Sequence, residues 1–500
     1  MRRCLLVQLA VLLAAIPLHV LAGSPLIDAA EANNGAEAIR LLETGAAAKE
    51  KASDGTTALH WAAHWDDQKL LEWLIKAGAN VNARNDYGST PLQEAAERGD
   101  AQMIQTLLKA RADAESPNDE GQTALMTVSR VGSVEAARAL IKAGANVNAV
   151  EKWRGQTALM WAAAQGNPEV VRLLIKSHAD VDARSTVREW ERRVTAEPRP
   201  QNRPPGGFTA LLLAAREGCA ECVRELVAGK ADVNLPDPEN ITPLLMAILN
   251  ARFDTAKVLI EAGADVNRWD SWGRAPLYSA IDYNTTPRGG RPDRPSSDVV
   301  LPLEIATMLL DRGANPNMQL KLFPPYRSLG QDRGGDAMLT VGTTPLIRAA
   351  KAGDEASVKL LLERGALPDL PNNLGITPLM AAAGIGSSTL DIRARFRNEK
   401  PSIETGKLLV AAGADVNAIR DNGQTALHGA AQWGWTDFAK YLASAGAILD
   451  VQDAKGATPL DIAMGRAGGT GRSGVAGAET HPETAAALRS LMAANQRPAQ

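Results

Sequence analysis

The sequence contains few aromatic residues, no basic stripe and, beyond its N-terminus, no long apolar run. Aromatic residues make up 4% of the 500 residues, so alanine and leucine are expected to do most of the packing. The formal net charge is −3, and without a basic stripe we expect no nucleic-acid partner. A membrane-spanning helix needs about 20 consecutive apolar residues. No second span of that kind follows the N-terminus, so we expect no membrane span in the mature chain.

Motifs for common catalytic and metal chemistry are also missing. There is no G-x-S-x-G nucleophile elbow, no phosphate-binding loop and no dinucleotide fingerprint. The six histidines form no H-x-x-x-H or Cys/His cluster with the spacing of a metal site. Carboxylates are plentiful, but they occupy turns, helix caps and exposed helix faces. The sequence therefore predicts no catalytic residue, no metal and no cofactor, and a protein that is not an enzyme.

Residues 1–22 have the pattern of a secretory signal peptide, with two arginines, an apolar core and the small-residue ending VLA. Cleavage is expected between Ala22 and Gly23. A membrane anchor is the alternative, but the apolar run is short and is interrupted by Pro17 and His19. The leader, together with a composition rich in alanine, arginine and glycine, favours a bacterial protein that is periplasmic or secreted.

From residue 24 onward, one pattern recurs almost to the C-terminus. Its opening signature, Ser/Thr/Ala followed by Pro/Ala and Leu, begins at Ser24, Thr57, Thr90, Thr123, Thr157, Thr209, Thr242, Ala275, Thr344, Thr377, Thr425 and Thr458. Seven of the eleven intervals are 33 residues and one is 34, while the others, of 52, 69 and 48 residues, contain added sequence. Such a period predicts stacked repeats, each of which packs only on its neighbours.

Each position of the repeat has a physical role. Threonine at the first position can cap a helix N-terminus, and proline at the second suits a first helical turn that needs no N–H. A small pair such as Ala95-Ala96 lets this short helix lie close to its neighbours. Gly99 ends it as a left-handed cap, and a second helix carries a pair such as Leu107-Leu108. The tail buries one valine and turns through Asn/Asp-x-x-Gly into the next copy.

This pattern resembles the ankyrin repeat. The resemblance rests on T-[PA]-L-H-x-A-A, the mid-repeat glycine and G-A-[DN]-V-N, in about twelve copies over residues 24–495. It implies an all-α solenoid of paired antiparallel helices with short β-hairpin or turn projections. It also implies that residues 23–500 bind another protein through the concave face and the hairpin tips. We expect the protein to be a monomer.

Five insertions interrupt the repeats, near residues 185–205, 284–300, 319–342, 387–403 and 466–481. The second, fourth and fifth lie between the two helices of a copy, are nearly equal in length and carry net positive charge. They are either surface loops tolerated at little cost, which we favour, or a row of basic fingers that grips an acidic partner. The apolar segment 320–326 either docks on its own repeats or contacts a partner.

Cys219 and Cys222 form a single C-x-x-C at the start of a second helix. Three interpretations are open. The pair is two buried structural thiols, which we favour, a local disulfide suited to an oxidising compartment, or a redox-active pair at a helix N-terminus. No thioredoxin-like βαβ pattern surrounds it, and Cys222 falls where other copies place a buried residue.

Aromatic side chains at the hairpin tips and at the ends of first helices are the candidate partner-binding residues. They are Trp65, Tyr87, Trp153, Trp272 and Trp433. Exposed tryptophan and tyrosine are favoured at binding hot spots. The alternative is that some of these rings pack on the neighbouring hairpin.

Other ring-bearing residues are expected to be structural. We place Trp61 and Trp161 in the core and Trp73 in helix packing. The family resemblance places His60 and His428 in hydrogen bonds between helix and hairpin.

The sequence thus predicts an exported protein-binding scaffold. Two alternatives come from other classes. One is a structural component of the cell envelope that assembles through its basic insertions. The other is a redox protein that uses Cys219 and Cys222.

Overall fold

The computed structural model describes residues 24–187, 206–285, 298–321, 340–386, 398–466 and 480–495, which contain 24 helices and no β-sheet. One isolated antiparallel bridge joins Val150 and Thr157. The chain forms two compact units, Met1–Asn146 and Val147–Gln500. The predicted all-α architecture of helix pairs is confirmed in each of them.

In the first unit the helices are α1 (Pro25–Glu31), α2 (Gly35–Glu43), α3 (Ala58–His64), α4 (Gln68–Lys76), α5 (Pro91–Arg98), α6 (Ala101–Lys109), α7 (Ala124–Val131) and α8 (Val134–Lys142). In the second unit they are α9 (Ala158–Gln165), α10 (Pro168–Lys176), α11 (Ala210–Glu217), α12 (Ala220–Ala228), α13 (Pro243–Leu249), α14 (Phe253–Glu261), α15 (Pro276–Asn284), α16 (Pro302–Asp311), α17 (Pro345–Lys351), α18 (Glu355–Glu363), α19 (Pro378–Ala382), α20 (Glu399–Ala411), α21 (Ala426–Gln432), α22 (Thr436–Ser444), α23 (Pro459–Ala463) and α24 (Pro482–Asn495). Odd numbers are the first helices of the repeats and even numbers the second helices.

Each first helix begins directly after the residue that opens the sequence signature. That residue has extended backbone geometry, as in Thr90 at φ −117° and ψ 161°. Its hydroxyl accepts a hydrogen bond from Gln93 N at 3.3 Å, and the Gln93 side chain accepts one from Thr90 N at 3.2 Å. This reciprocal capping satisfies donors that a helix start leaves unpaired. The helix ends at Gly99, whose φ of 69° is left-handed and suits glycine.

The core of each unit lies between successive repeats. The first helices pack on one another in chain order, α1 through α7 in the first unit and α9 through α23 in the second, and each packs on its own second helix. Ala95 and Ala96, on the contact face of α5, are 0% exposed. Leu107 of α6 is also fully buried. Small residues on the first helices therefore bring neighbouring repeats close, and aliphatic residues on the second helices fill the remaining space.

An asparagine ladder joins the ends of successive second helices. The asparagine near the end of one repeat's tail accepts a hydrogen bond from a backbone N–H of the next repeat and donates to a carbonyl there. Asn317 accepts from Leu367 N at 2.8 Å and donates to Gly365 O at 3.0 Å. The ladder consists of Asn82, Asn148, Asn267, Asn317 and Asn417, which all make this pair of bonds.

Replacing Asn317 by alanine should lower the free energy of unfolding by about 1 kcal/mol, because two backbone groups of the next repeat lose a partner. Asn317→Asp should cost less, since a carboxylate can still accept from Leu367 N. Asp369 accepts from Asp415 N in this way at 3.0 Å. Urea-induced unfolding of the parent and the two variants measures the difference. Identical midpoints for the parent and Asn317→Ala would mean that the ladder adds no stability.

A side chain from the next repeat covers the carbonyl at the end of several first helices. Trp65 Nε1 donates to Glu31 O at 3.0 Å, and Trp433 Nε1 donates to Gly384 O at 2.9 Å. The same kind of bond joins Arg98 to His64, Tyr283 to Leu249 and His481 to Gln432. Because the last carbonyls of a helix have no partner within it, each of these bonds links two repeats and completes a helix.

All five insertions include residues outside those described, as do the leader and the C-terminal five residues. Two insertions have described residues that are ordered on the repeats. Residues 399–403 form the first turns of α20. Leu320 is 2% exposed and its N donates to Thr343 O at 3.1 Å, so the start of the apolar segment docks on its own repeats. Residues 322–326, and most of each basic insertion, lie outside the described residues.

Candidate interaction surface

Tyr87 and Trp153 are exposed at two turns, one in each unit. The side chain of Tyr87 is 74% exposed and that of Trp153 is 61% exposed. The backbone N–H of each residue is hydrogen-bonded to a side chain two positions earlier. Asn85 Oδ1 accepts from Tyr87 N at 3.1 Å, and Glu151 Oε2 accepts from Trp153 N at 2.5 Å. Each ring is therefore presented to solvent on an ordered turn, which is the condition under which an aromatic side chain makes an effective contact residue.

Two apolar side chains accompany Trp153 at its edge of the second unit. Val150 and Val187 are each about half exposed, and Thr186 N donates to Arg154 O at 2.7 Å, which joins the two hairpins that carry them. All three residues therefore lie exposed on turns whose backbones are hydrogen-bonded to each other.

Trp65 and Trp433 both have structural contacts. Trp65 is 38% exposed and Trp433 is half-buried, and both indoles make the carbonyl-capping bonds described above. Trp65 also stacks on Trp61 with 6.5 Å between ring centroids. A Cβ added at Gly384 would lie 2.5 Å from the Trp433 ring. Both rings thus contact the end of the preceding repeat's first helix, whereas the alternative interpretation had placed such rings on the neighbouring hairpin.

The prediction that Trp272 is exposed is wrong. Its side chain is only 4% exposed. Lys321 N donates to Trp272 O at 3.1 Å, and a Cβ at Gly273 would lie 2.4 Å from Lys321 N, so the start of the third insertion lies over this turn. Beneath it, the buried side chains of Asp270 and Arg274 form an ion pair at 2.5 Å. Trp272 is therefore not available to a partner.

Trp269, which the sequence did not single out, is the exposed tryptophan of that turn. It is 40% exposed, and Lys321 Nζ lies 3.2 Å from its ring centroid, a cation–π contact. Trp269 lies four residues before the turn glycine. At the turns, the prediction from the sequence had selected only aromatic residues one or two positions before such a glycine. No signal in the sequence distinguishes which of the two tryptophans faces inward.

The other tryptophan rings of the repeats are half-buried or buried. Trp61, Trp73 and Trp161 are half-buried rather than fully in the core. Trp435 is 6% exposed and stacks on Phe438 at 6.3 Å. These rings fill space between helices.

The two repeat histidines join helix to hairpin. Thr57 N donates to His60 Nδ1 at 3.1 Å, so the ring proton is on Nε2, which donates to Ser89 O at 3.1 Å. His428 makes the corresponding bonds with Thr425 N and Ala457 O. Burial lowers the pKa of both imidazoles below the ordinary value. They are neutral structural residues at neutral pH.

Cys219 and Cys222 are joined by a disulfide, in place of the two free thiols that we favoured from the sequence. The disulfide links the N-cap residue of α12 to a residue in its first turn. The pair can bridge because the cap and the third helical residue lie on the same side of the helix start.

Among the described residues, every helix is too short or too polar to traverse a lipid bilayer. In the same part of the chain, no three His, Cys, Asp or Glu side chains are grouped so that they could hold a metal ion.

Comparison with curated proteins finds similarity to repeat-containing segments of much longer chains. The sequence is 32% identical over 123 residues to the transient receptor potential cation channel subfamily A member 1 homolog of Caenorhabditis elegans. It is 28% identical over 176 residues to SH3 and multiple ankyrin repeat domains protein 2 of Homo sapiens, and 35% identical over 141 residues to neurogenic locus notch homolog protein 1 of Xenopus tropicalis. These alignments cover 25%, 32% and 24% of this chain but only 9%, 9% and 6% of the relatives.

Family profiles give the wider match. The family described as ankyrin repeats (3 copies) matches residues 26–118, 92–185, 194–270, 211–320 and 394–469, and the single ankyrin repeat matches residues 341–373. Ankyrin repeats generally mediate protein–protein interactions, and the family is generally non-enzymatic. The matches cover well over half of the sequence, and the chain belongs to the ankyrin repeat family.

Proposed function

We propose that this protein is an exported scaffold that binds another protein through exposed aromatic side chains on its turns. The observation that carries the proposal is the exposure of Tyr87 and Trp153 on turns whose backbones are already hydrogen-bonded. A ring held on an ordered turn loses little conformational entropy when a partner covers it. We place the partner on the side of the repeats that bears the hairpin tips and the exposed ends of the first helices.

Export is the second part of the proposal. It is supported by the signal-peptide pattern of residues 1–22, with cleavage between Ala22 and Gly23. It is also supported by the Cys219–Cys222 disulfide, because disulfides persist mainly in oxidising compartments. We therefore propose a periplasmic or secreted protein.

The chain offers a matched pair of turns for testing the aromatic contact. Glu120 stands in the third repeat where Tyr87 stands in the second, and its N donates to Asn118 Oδ1 at 3.0 Å, as Tyr87 N does to Asn85 Oδ1. Tyr87→Glu therefore removes the ring and keeps the turn. We expect Tyr87→Glu and Trp153→Ala each to weaken partner binding at least about 10-fold. Glu120→Ala, the control, should bind like the parent.

The experiment is a pull-down from an envelope extract with the full chain as bait, followed by affinity measurements on the partner it identifies. A partner captured by the parent and lost with Tyr87→Glu or Trp153→Ala supports the proposal. If both variants bind that partner with the parent's affinity, the aromatic-turn mechanism is refuted and the basic insertions become the next surface to test. If nothing is captured, a structural role is favoured over binding.

A further inference from the structure

Cys219 occupies a helix-cap position that carboxylates occupy in other repeats. Its Sγ accepts a hydrogen bond from Cys222 N at 3.1 Å. Asp67, Asp100 and Asp354 cap α4, α6 and α18 in the same manner, with donor–acceptor distances of 2.9, 2.6 and 3.2 Å. The N–H groups at these helix starts stabilise a negative charge at the cap. After reduction of the disulfide, Cys219 Sγ would occupy this cap position, where a thiolate, the reactive form of cysteine, would receive the same stabilisation.

Cys222 has the opposite environment. It is 0% exposed, and the corresponding residues of three other second helices are the buried apolar side chains of Leu70, Met103 and Val170. Apolar surroundings disfavour a thiolate. The two sulfurs of the disulfide are therefore chemically unequal. Cys219 is partly exposed with a stabilised anion, whereas Cys222 is enclosed and its anion is not stabilised.

Two glycines lie close to Cys219, Gly166 of the preceding repeat and Gly218 directly before it. A Cβ at Gly166 of the preceding repeat would lie 3.9 Å from Cys219 Sγ, so no side chain extends from that position toward the sulfur. A Cβ at Gly218 would lie 2.6 Å from Arg252 Cδ and 3.1 Å from Arg252 Nε. The side chain of Arg252 therefore packs against Gly218, the residue before Cys219.

We propose that the Cys219–Cys222 disulfide is a thiol–disulfide exchange site that oxidises dithiols of other proteins. A substrate thiolate attacks Cys219 Sγ, the bond between the two cysteines breaks, and its electron pair and a proton go to Cys222 Sγ. The second substrate thiolate then attacks the substrate sulfur of the mixed disulfide and releases Cys219 as a thiolate. The substrate leaves as a disulfide, and the protein retains two electrons on Cys219 and Cys222. A low-molecular-weight disulfide returns the pair to the oxidised state.

The substrate thiolate attacks Cys219 because Cys219 is partly exposed and Cys222 is buried. Cys219 then leaves the mixed disulfide readily, because a stabilised thiolate is the better leaving group. A purely structural disulfide has no accessible sulfur and no stabilised thiolate, and it resists reduction by glutathione. This site is independent of the aromatic turns proposed for partner binding.

The first test measures the reactivity of Cys219 alone. The full chain carries Cys4→Ser and Cys222→Ser, which leaves Cys219 as its single thiol. The reference chain carries Cys4→Ser, Cys219→Ser, Cys222→Ser and Arg138→Cys, which places a thiol at a side chain that is 57% exposed on α8, away from the helix start. At pH 6 we expect iodoacetamide to react with Cys219 at least about 10-fold faster than with the reference thiol. Equal rates, or no reaction in the folded protein, would overturn the proposal.

The second test keeps the cysteine pair intact, so it does not depend on the folding of Cys222→Ser. The oxidised Cys4→Ser chain is mixed with a reduced dithiol peptide in the presence of oxidised glutathione. We expect peptide oxidation to be at least about 10-fold faster than with the Cys4→Ser/Cys219→Ser chain. We also expect reduced glutathione alone to open the disulfide. Peptide oxidation at the rate of the Cys219→Ser control, or a disulfide that survives excess glutathione, would show a structural disulfide only.

Discussion

Replacing Arg348 by methionine is expected to lower the free energy of unfolding by about 3–5 kcal/mol. Arg348 Nε lies 2.7 Å from Asp282 Oδ1, and the side chains are 1% and 2% exposed. The pair joins α17 to α15 inside the second unit. Without Arg348 the buried carboxylate of Asp282 loses the charge of this cation in a site that is closed to solvent. Urea-induced unfolding, with hydrogen exchange of the α15 and α17 amides, measures the loss and locates it.

Two comparisons separate the buried charge from the change of side chain. Arg364→Met removes an exposed partner of Asp311 and should cost less than about 1 kcal/mol. The double variant Asp282→Ala/Arg348→Met removes both buried charges and should recover most of the stability lost by Arg348→Met. If Arg348→Met has the same free energy of unfolding as Arg364→Met, the buried ion pair stabilises the fold no more than an exposed one.

Asp237→Asn is expected to raise the free energy of unfolding by about 3 kcal/mol at neutral pH. Asp237 is 8% exposed, and its Oδ1 accepts from Glu239 N and Ile241 N, both at 2.9 Å. Burial, with a smaller contribution from the Glu239 carboxylate, raises the pKa of Asp237 from 3.8 to about 6. A shift of roughly two units corresponds to about 3 kcal/mol. Asparagine keeps the two acceptor bonds without a charge.

The sign follows from proton binding. Between about pH 4 and pH 6 the folded protein holds a proton on Asp237 that the unfolded chain has released, so the free energy of unfolding falls as pH rises through this window. In Asp237→Asn, which cannot ionise at this position, this decrease in the free energy of unfolding should be absent. The two proteins should therefore be equally stable below pH 4 and differ by the full amount above pH 6. Urea midpoints measured at several pH values test this.

Asn372 provides the reciprocal control. It occupies the same place in its turn, is 5% exposed, and its Oδ1 accepts from Leu374 N and Ile376 N at 3.0 and 3.1 Å. Asn372→Asp should therefore introduce the pH-dependent loss that Asp237→Asn removes. A parent whose stability is constant between pH 4 and pH 6 would contradict the burial of a charged Asp237.

The starts of the first helices were predictable because their determinants are local. Thr90 caps its helix through the N–H of a residue only three positions later. Gly99 can end the helix in the left-handed conformation because it has no side chain. The hydrogen-bonding role of His60 came from the family resemblance, and its partners Thr57 and Ser89 lie at the start and the end of the same repeat.

The exposure of individual rings was not predictable in this way. Tyr87 and Trp272 stand directly before a turn glycine in equivalent tails, yet one is 74% and the other 4% exposed. The position directly before a turn glycine therefore does not determine the exposure of a ring. Whether Cys219 and Cys222 pair likewise depends on the relative position of two sulfur atoms, which the C-x-x-C spacing permits but does not require.

The hydrogen bonds between repeats have a direction along the chain, with a consequence for biosynthesis. The carbonyl of Glu31 gains its donor only when Trp65, 34 residues later, has been translated. The amide of Asn317, by contrast, is already present when Leu367 and Gly365 are made. Where these bonds occur, a new repeat completes the helix made before it and finds hydrogen-bond partners for its own backbone already in place, an order that suits folding from the N-terminus during synthesis. Removal of repeats from the C-terminal end uncovers carbonyl oxygens, whereas removal from the N-terminal end takes away amide partners.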